Sequence, residues 1–455
     1  MIDFMLDTFK KNAQDDAIVW NDKAYNYQWL YDKVLEWDDY LEKNNFTPGT
    51  VVALEADFSP NAVGLFLSLV RKKTILVPLT SSVANKKDEF LQTAEVEKLI
   101  KVNKDDSFEL VETGAKASHE LLLKLQQRQH PGLILFSSGS TGKSKAALHD
   151  LTGILKKFEV PRHKMRSISF LLYDHIGGVN TMLYVLSNGG CLVTVPDRNA
   201  STVLGAIDKH RVELLPTSPT FLNLVLISES YRDYKLESLK VVTYGTEPMP
   251  ESTLQSFHKL FPHIKLTQTY GLSELGILRS KSKSSDSLWV KIGGEGFQTR
   301  VVDNLLEIKA ESAMMGYLNA ISPFTEDGWF KTGDAVETDG DYFKILGRKS
   351  ELINVGGEKV YPAEVESTIL ELPEVEEVTA FGEPHPLTGQ VVAVELKTNS
   401  EDTNQLKKAI KRHCNQKLER FKIPVKFYFT ENKQHSERFK KMRADISNQN
   451  HGQTS

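Results

Sequence analysis

Over the first part of the chain, short apolar runs alternate with amphipathic stretches. Residues 50–54 and 74–79 are almost wholly apolar, which predicts buried strands, and residues 61–69 between them predict a helix. A further amphipathic helix is predicted from Tyr27 toward Leu41. Strand, helix and strand at this spacing favour a parallel sheet with right-handed crossovers.

The alternation continues along the chain, so the parallel-rich part of the fold is expected to be large. Further buried strands are predicted at residues 168–172, 190–195, 214–215, 240–242 and 265–266. Residues 279–286 are mainly polar and are predicted to form an exposed loop.

The pattern changes twice toward the C-terminus. From Trp289 the predicted strands are shorter and closer together, as in an antiparallel or barrel-like subdomain, and from Gly347 a compact α+β pattern follows. We therefore expect an α/β fold whose large N-terminal domain, residues 1–346, has parallel-rich sheets plus a barrel-like subdomain. A small mobile α+β C-terminal domain at residues 347–446 and a disordered tail at residues 447–455 complete the expected organisation.

A loop rich in small polar residues follows a predicted strand at residues 133–136. Seven of the nine positions from Ser137 to Lys145 are glycine, serine or threonine, and the other two are lysines. Glycines bring backbone N–H groups close to a ligand, hydroxyls donate further hydrogen bonds, and lysine supplies positive charge. The segment therefore predicts a phosphate-binding loop, with a flexible surface turn as the plainer interpretation.

A Walker-type loop is the main rival interpretation of this segment. Such a loop needs glycine, four residues and then Gly-Lys-Ser/Thr, between a strand and a helix. Residues 142–144 supply the second half, but Ser137 stands where the first glycine is required.

Five segments together resemble the adenylate-forming superfamily, which contains acyl- and aryl-CoA ligases, luciferases and the adenylation domains of peptide synthetases. In the family's order they read SSGSTGKSK at residues 137–145, TYGLSE at 269–274, KTGD at 331–334, GR at 347–348 and INVGGEKVYPAEVE at 353–366. The last segment is closest in style to stand-alone acyl-CoA ligases. The loop departs from the family in ending Ser144-Lys145-Ala146 rather than Pro-Lys-Gly.

The resemblance implies a two-step reaction. A carboxylate attacks the α-phosphorus of ATP to give an acyl-adenylate and pyrophosphate, and a thiol then displaces AMP to form a thioester. The implied cofactors are ATP, Mg²⁺ and coenzyme A, or the phosphopantetheine of a carrier protein. Positioning and charge neutralisation dominate such phosphoryl chemistry.

The resemblance also assigns nucleotide-binding roles. Thr269 is expected at the α-phosphate, Tyr270 against the adenine and Glu274 as the Mg²⁺ ligand, since Mg²⁺ prefers hard oxygen ligands. Asp334 is expected to accept hydrogen bonds from the ribose hydroxyls, with Arg348 assisting there. The phosphate-loop residues are Ser138, Gly139, Ser140, Thr141, Gly142 and Lys145, and the adenine-pocket residues are Gly245, Thr246 and Glu247.

The acid pocket and the C-terminal domain supply the remaining candidates. His175 fits the family's gating position, and the glycines at 177 and 178 are expected to let a ligand approach closely. The family's catalytic lysine is matched by Lys440, although Phe439 replaces the usual preceding glycine. Gly356 and Gly357 would let pantetheine pass when the small domain swings, and the hinge position is occupied by Ser350. Walls of the acid pocket are expected at residues 175–182, 216–221, 243–245 and 271–277.

Composition and net charge limit the classes of partner that the protein is expected to bind. The 455 residues carry a net charge of −4, which gives no reason to expect nucleic acid or an anionic membrane as partner. No apolar run reaches the about 18 residues of a membrane span, and the N-terminus lacks a signal-peptide pattern, so a cytoplasmic protein is expected. A small carboxylic acid is the expected substrate, and the chain is expected to be a monomer or homodimer.

Three alternatives remain open from the sequence. A separate acyl-carrier protein could replace coenzyme A as the thiol partner. A Walker-type NTPase would release ADP rather than AMP. A non-catalytic nucleotide-binding module is the third, because Phe439 and Ser350 depart from the family pattern.

Overall fold

The computed structural model describes residues 2–138, with only the backbone of Ser138, then residues 144–432, 434–436 and 441. The tail predicted at residues 447–455 lies outside this part of the chain.

The strands are defined by their bounds in chain order. They are β1 (Asp16–Trp20), β2 (Lys23–Asn26), β3 (Val51–Glu55), β4 (Ile75–Leu79), β5 (Lys98–Val102), β6 (Phe108–Glu112), β7 (Gly132–Ser138), β8 (Ser144–Asp150), β9 (Arg166–Ile168), β10 (Cys191–Val193), β11 (Leu214–Thr217), β12 (Val241–Tyr244), β13 (Lys265–Gln268), β14 (Gly271–Leu272), β15 (Gly276–Ile277), β16 (Ser280–Ser282), β17 (Trp289–Ile292), β18 (Phe297–Val302), β19 (Leu305–Ala310), β20 (Gly316–Tyr317), β21 (Phe330–Asp339), β22 (Tyr342–Arg348), β23 (Ile353–Val355), β24 (Glu358–Val360), β25 (Val375–His385), β26 (Gly389–Thr398) and β27 (Lys426–Phe429).

The α-helices are distributed between these strands. They are α1 (Asp3–Lys11), α2 (Tyr27–Lys43), α3 (Pro60–Arg71), α4 (Lys87–Thr93), α5 (Glu120–Arg128), α6 (Leu151–Leu155), α7 (Ile176–Ser187), α8 (Ala200–His210), α9 (Pro219–Ser228), α10 (Glu251–Leu260), α11 (Pro362–Ile369) and α12 (Thr403–Lys417).

Two seven-stranded sheets form the large N-terminal part. Their strand orders are β13-β12-β11-β9-β10-β1-β2 and β20-β8-β7-β4-β3-β5-β6. The central pairs are parallel, as between β3 and β4, where Val51 pairs with Ile75. Antiparallel pairs lie toward the sheet edges, as β1 with β2 and β7 with β8, and β8 in turn pairs with the edge strand β20. Parallel strands are covered by helices on both faces, which explains their continuous apolar sequence.

Local sequence explains why helices α2 and α3 form where they do. The side chain of Asn26 caps α2 by accepting a hydrogen bond from the Trp29 N–H at 2.8 Å. In α3, Ser59 is the N-cap and Pro60 occupies the first turn, where a missing N–H costs nothing. The buried stripe of α2 consists of Tyr27, Leu30, Val34, Trp37 and Leu41, at the spacing of an amphipathic helix.

An antiparallel sheet and a small α+β unit follow. The six-stranded sheet has the order β16-β17-β22-β21-β19-β18 and provides the predicted barrel-like subdomain. Beyond it, β23 to β27 form one sheet with α11 and α12, around a separate apolar cluster that includes Ile353, Val394 and Cys414. The expected fold class is confirmed; the boundary after residue 346 and the mobility of the small unit stay predictions.

Most of the predicted elements appear within a few residues of their expected bounds, but two are wrong in part. The strand predicted at residues 168–172 ends at Ile168, because the chain then leaves the sheet while Phe170 and Leu172 remain buried. The apolar residues at these positions are buried but do not pair with a neighbouring strand. Within the loop predicted at 279–286, Ser280–Ser282 pair with β17, and the hydroxyls of Ser280 and Ser282 bond the backbone of Gln268.

Candidate functional site

The predicted phosphate loop connects two antiparallel strands. Ser137 pairs with Lys145 and Ser138 with Ser144 across β7 and β8. The loop is thus followed by a strand, whereas a Walker loop is followed by a helix. Gly139, Ser140, Thr141 and Gly142 lie outside the described residues, as does the side chain of Ser138, so their roles stay predictions.

Glu274 lies directly beside the base of this loop. Its Oε1 accepts a hydrogen bond from the hydroxyl of Tyr317 at 2.7 Å and a longer one from the Ser137 hydroxyl at 3.4 Å. The ammonium of Lys145 lies over the Tyr317 ring, 5.4 Å from its centroid. Burial, followed by the charge of Glu274, raises the pKa of Tyr317, so its hydroxyl stays protonated and donates.

His149 supports the same segment from behind. It is fully buried on β8, and its Nε2 lies 2.6 Å from the carbonyl oxygen of Ser273, the residue before Glu274. Burial lowers the pKa of His149, which favours a neutral ring whose Nε2–H donates to that carbonyl. The sequence analysis missed both His149 and Tyr317, since neither belongs to a motif that distinguishes it from an ordinary core residue.

Asp334 forms a second charged centre with Tyr270 and Arg348. The Tyr270 hydroxyl donates to Asp334 Oδ2 at 2.5 Å, and Arg348 Nε lies 3.4 Å from Oδ1. Burial raises the pKa of Asp334, although Arg348 and Tyr270 act in the opposite direction. The position of Tyr270 against an adenine stays a prediction.

Arg348 connects the two centres electrostatically. Burial acts to lower the pKa of this guanidinium, but Asp334 and then Glu274 outweigh it, so the pKa is raised. The structure therefore brings Lys145, Glu274, Asp334 and Arg348 into one charged region at the mouth of the phosphate loop.

The segment after β12 has a strained backbone. Thr246 has a φ of +76°, a conformation that β-branched residues rarely adopt and that often marks a functional site. A Cβ on Gly245 would lie 2.7 Å from the carbonyl oxygen of Thr269, so only glycine allows this close approach. Thr269 in turn donates two hydrogen bonds to the carbonyl oxygen of Tyr244, one from its N–H at 2.7 Å and one from its hydroxyl at 3.1 Å.

Glu247 lies where the large and small units meet. Its Oε1 accepts hydrogen bonds from the N–H of Thr220 at 2.8 Å and from the Thr220 hydroxyl, and its Oε2 lies 3.4 Å from the Lys441 N–H. The Lys441 ammonium binds the buried Glu366 at 2.7 Å and the Val378 carbonyl at 3.0 Å. Lys440 lies outside the described residues.

His175 is the N-cap of α7, and its Nδ1 accepts the Gly177 N–H at 3.0 Å. A Cβ on Gly178 would lie 2.0 Å from the carbonyl oxygen of Leu172. Close approach of the backbone to itself thus requires glycine at 178, and the predicted approach of a ligand to these glycines stays a prediction. The gating role of His175 stays a prediction.

Gly356 and Gly357 form the turn between β23 and β24. Their φ angles are +64° and +98°, and nothing lies within 4 Å of where a Cβ on Gly357 would be. The turn is open, and its predicted contact with pantetheine stays a prediction.

Comparison with known proteins identifies the family. The sequence profile of AMP-binding enzymes matches residues 7–304, and the profile of the AMP-binding enzyme C-terminal domain matches residues 364–440. The chain belongs to the AMP-binding enzyme family. Among the described residues of this family member, no helix combines the length and apolar character needed to cross a lipid bilayer.

Curated members of the family align with part of the chain. It is 28% identical over 331 residues to the indoleacetate–CoA ligase of Aromatoleum aromaticum, covering 66% of this chain and 64% of that protein. It is 27% identical over 324 residues to the long-chain-fatty-acid–CoA ligase FadD13 of Mycobacterium tuberculosis, covering 66% and 63%. The alignments thus span a little less than two thirds of these relatives.

Solved structures show the same fold over nearly the whole chain. The anthranilate CoA ligase AuaEII with anthranoyl-AMP matches with a TM-score of 0.81 at 19% identity, covering 98% of this chain and 96% of that one. ATP-bound MatB from Rhodopseudomonas palustris matches with a TM-score of 0.77 at 21% identity, covering 98% of both chains.

Proposed function

We propose that this protein uses ATP to activate a carboxylic acid as an acyl-adenylate, releasing pyrophosphate, and transfers the acyl group to coenzyme A. One observation carries the proposal: Arg348 Nε lies 3.4 Å from Asp334, the charge of Glu274 also acts on Arg348, and Glu274 accepts a hydrogen bond from Ser137 at the start of the phosphate loop. One nucleotide could therefore reach all of these groups. The names of the curated relatives, which are CoA ligases, support the same activity.

The residues around Glu274 fit a magnesium ion held partly by the nucleotide. Both hydrogen bonds to Glu274 reach Oε1, and among the described residues none reaches Oε2. The described chain also offers no cluster of three or more acidic, histidine or cysteine side chains that could hold a metal alone. This donor set fits Mg²⁺, which commonly binds one or two carboxylates together with substrate phosphates. Bound there, the ion would neutralise charge on the phosphates.

The remaining residues would orient and neutralise the nucleotide. Lys145 would face the phosphates, because it lies at the C-terminal base of the loop and has no carboxylate partner in the described chain. Asp334 would bind the ribose, since each carboxylate oxygen can accept more than one hydrogen bond and, among the described residues, each has one partner. Thr269 and the strained Thr246 would border the α-phosphate and adenine.

The small unit would take part in both steps. Lys440 would reach the reacting groups during adenylation, and the open turn at Gly356 and Gly357 would admit pantetheine during thioester formation. His175 would border the acid, since it stands at the start of α7, one of the expected walls of the pocket.

Product analysis tests the proposed function. Purified protein with ATP, Mg²⁺ and a panel of acids is expected to release AMP and pyrophosphate, and to exchange labelled pyrophosphate into ATP. Release of ADP instead would support the hydrolase or kinase alternative. Nucleotide binding without exchange for any acid would support the non-catalytic module. Thioester formation with coenzyme A, compared with formation on a phosphopantetheinylated carrier protein, identifies the acceptor.

Replacing Lys440 with alanine is expected to lower the adenylation rate by at least tenfold, because a cation would be lost from the charged transition state. The matched control is Lys408→Ala, since Lys408 is exposed on α12. Equal pyrophosphate exchange by the two variants would contradict the role of Lys440.

A further inference from the structure

The side chain of Lys157 lies between two of the expected walls of the acid pocket. It belongs to a 3₁₀ turn, Lys156–Phe158, that follows α6. Its ammonium donates to Asn180 Oδ1 at 2.5 Å and to the carbonyl oxygen of Ile277 at 2.8 Å. Asn180 belongs to α7, which His175 caps, and Ile277 belongs to β15.

The second wall is part of the nucleotide site. The turn between β14 and β15 contains Glu274, so Ile277 is three residues from the proposed magnesium ligand. The ammonium of Lys157 therefore lies where the helix behind His175 meets the hairpin that carries Glu274. A cation at this junction therefore borders two of the expected walls of the acid pocket.

No carboxylate of the described residues supplies a counter-charge to Lys157. Burial lowers its pKa to about 7, and the neighbouring charge that contributes is Arg279, a second cation. Within the described residues neither side chain forms an ion pair with a carboxylate. The face of Phe158, 5.0 Å from the ammonium, offers a cation–π contact but no negative charge. A buried lysine is either paired or loses its proton readily, and a bound anion would favour the charged form of Lys157.

The hydrogen-bond count points the same way. A lysine ammonium has three N–H donors, and Asn180 and Ile277 account for two of them. Lys157 also keeps part of its surface accessible. When Lys157 is protonated, the described residues therefore leave one of its N–H donors for a ligand.

We propose that Lys157, with Arg279 as a neighbouring cation, binds a second carboxylate of the substrate, so that the preferred acids are dicarboxylic. The proposal rests on the proposed function and specifies its substrate class. One carboxylate is activated at the nucleotide, and the other stays unreacted and pairs with the ammonium. Dicarboxylic acids are thereby distinguished from monocarboxylic acids of equal length.

Matched pairs of acids test the proposal. Octanoate is compared with octanedioate, and phenylacetate with 2-carboxyphenylacetate, by the kcat/KM for pyrophosphate release. The wild-type protein is expected to prefer the diacid of at least one pair by tenfold or more. Lys157→Met is expected to raise the KM for that diacid by at least tenfold and to leave the KM for its monoacid within about threefold. Lys157→Arg, which keeps the charge, is expected to restore part of the preference.

The neighbouring lysine provides the control. Lys156 is 67% exposed and its ammonium lies 3.3 Å from Glu311 on the surface, so Lys156→Met is expected to keep the wild-type preference. Equal activity of the wild-type protein toward both members of both pairs would overturn the proposal, and this comparison needs no variant to fold. If Lys157→Met lowers the kcat/KM for the monoacid and the diacid equally, the proposal is overturned too, and Lys157 has only a structural role. If no acid releases pyrophosphate at all, the proposed function itself fails, and the substrate class fails with it.

Discussion

Replacing Tyr317 with phenylalanine removes one hydroxyl from the proposed magnesium site and tests whether Glu274 must be oriented. That hydroxyl donates the shorter of the two hydrogen bonds to Glu274 Oε1, at 2.7 Å, whereas the Ser137 hydroxyl lies at 3.4 Å. Phenylalanine keeps the ring over which Lys145 lies, so the change isolates the hydrogen bond.

The expected magnitude follows from the charge of the acceptor. A hydrogen bond to a charged group contributes about 1.5–3 kcal/mol, and leaving a buried acceptor unsatisfied costs the same order. Because the Ser137 hydroxyl can still donate to Glu274, we expect the loss to lie at the lower end of this range, about 1.5 kcal/mol. Since about 1.4 kcal/mol corresponds to tenfold, the KM for MgATP should rise roughly tenfold.

The assay is pyrophosphate exchange at varied MgATP and saturating acid, together with thermal unfolding. The control is Tyr27→Phe, because Tyr27 is also buried and its hydroxyl donates to the Gly190 carbonyl at 2.6 Å, far along the chain from the site. Both variants should lose stability, but only Tyr317→Phe should raise the KM for MgATP. If the two variants have the same KM, the hydroxyl of Tyr317 is structural and the reasoning is refuted.

Two further predictions concern buried ion pairs within the small unit. Lys441→Met is expected to lower the free energy of unfolding by about 3 kcal/mol, because it removes the ammonium that pairs with the buried carboxylate of Glu366. Urea denaturation measures this loss, and combining Lys441→Met with Glu366→Gln should recover most of it. At Glu377, burial raises the pKa but His435 and other groups outweigh it, so the folded-state pKa is lowered. Its contribution is therefore present above the unfolded pKa and is lost as pH falls through the lowered value. Glu377→Gln should be less stable than the wild type at pH 7, and the difference should shrink toward acid in urea titrations; a constant difference would contradict the assignment.

Much of the fold follows from local pattern. The continuous apolar runs of β3 and β4 predicted a parallel sheet with helices on both faces, because only such strands are buried on both sides. Helix α2 was predicted equally well, because its apolar residues have the spacing of an amphipathic helix. The run at 168–172 was misread since apolarity reports burial, and a buried segment need not pair as a strand.

The candidate site was only partly readable from the chain. Motif residues such as Glu274 and Asp334 carry their chemistry in short, ordered strings, and the order of these strings indicated the family. The glycines beside His175 suggested a ligand, whereas only the structure shows that a Cβ on Gly178 would meet the carbonyl oxygen of Leu172. Lys157 was not singled out, since one lysine among many gives no sign that its ammonium is desolvated.

By itself, the sequence determined the succession of strands and helices, the fold class and the set of charged groups from which a nucleotide site could be made. Only the tertiary structure decided which groups meet: Tyr317 donates to Glu274 across 43 residues, Tyr270 to Asp334 across 64, and His149 lies against Ser273 across 124. Periodicity shows which face of an element is buried, but it does not show which distant element covers that face. Partnerships between separated residues therefore depend on how the sheets pack, and that packing also placed Lys157 beside the proposed site.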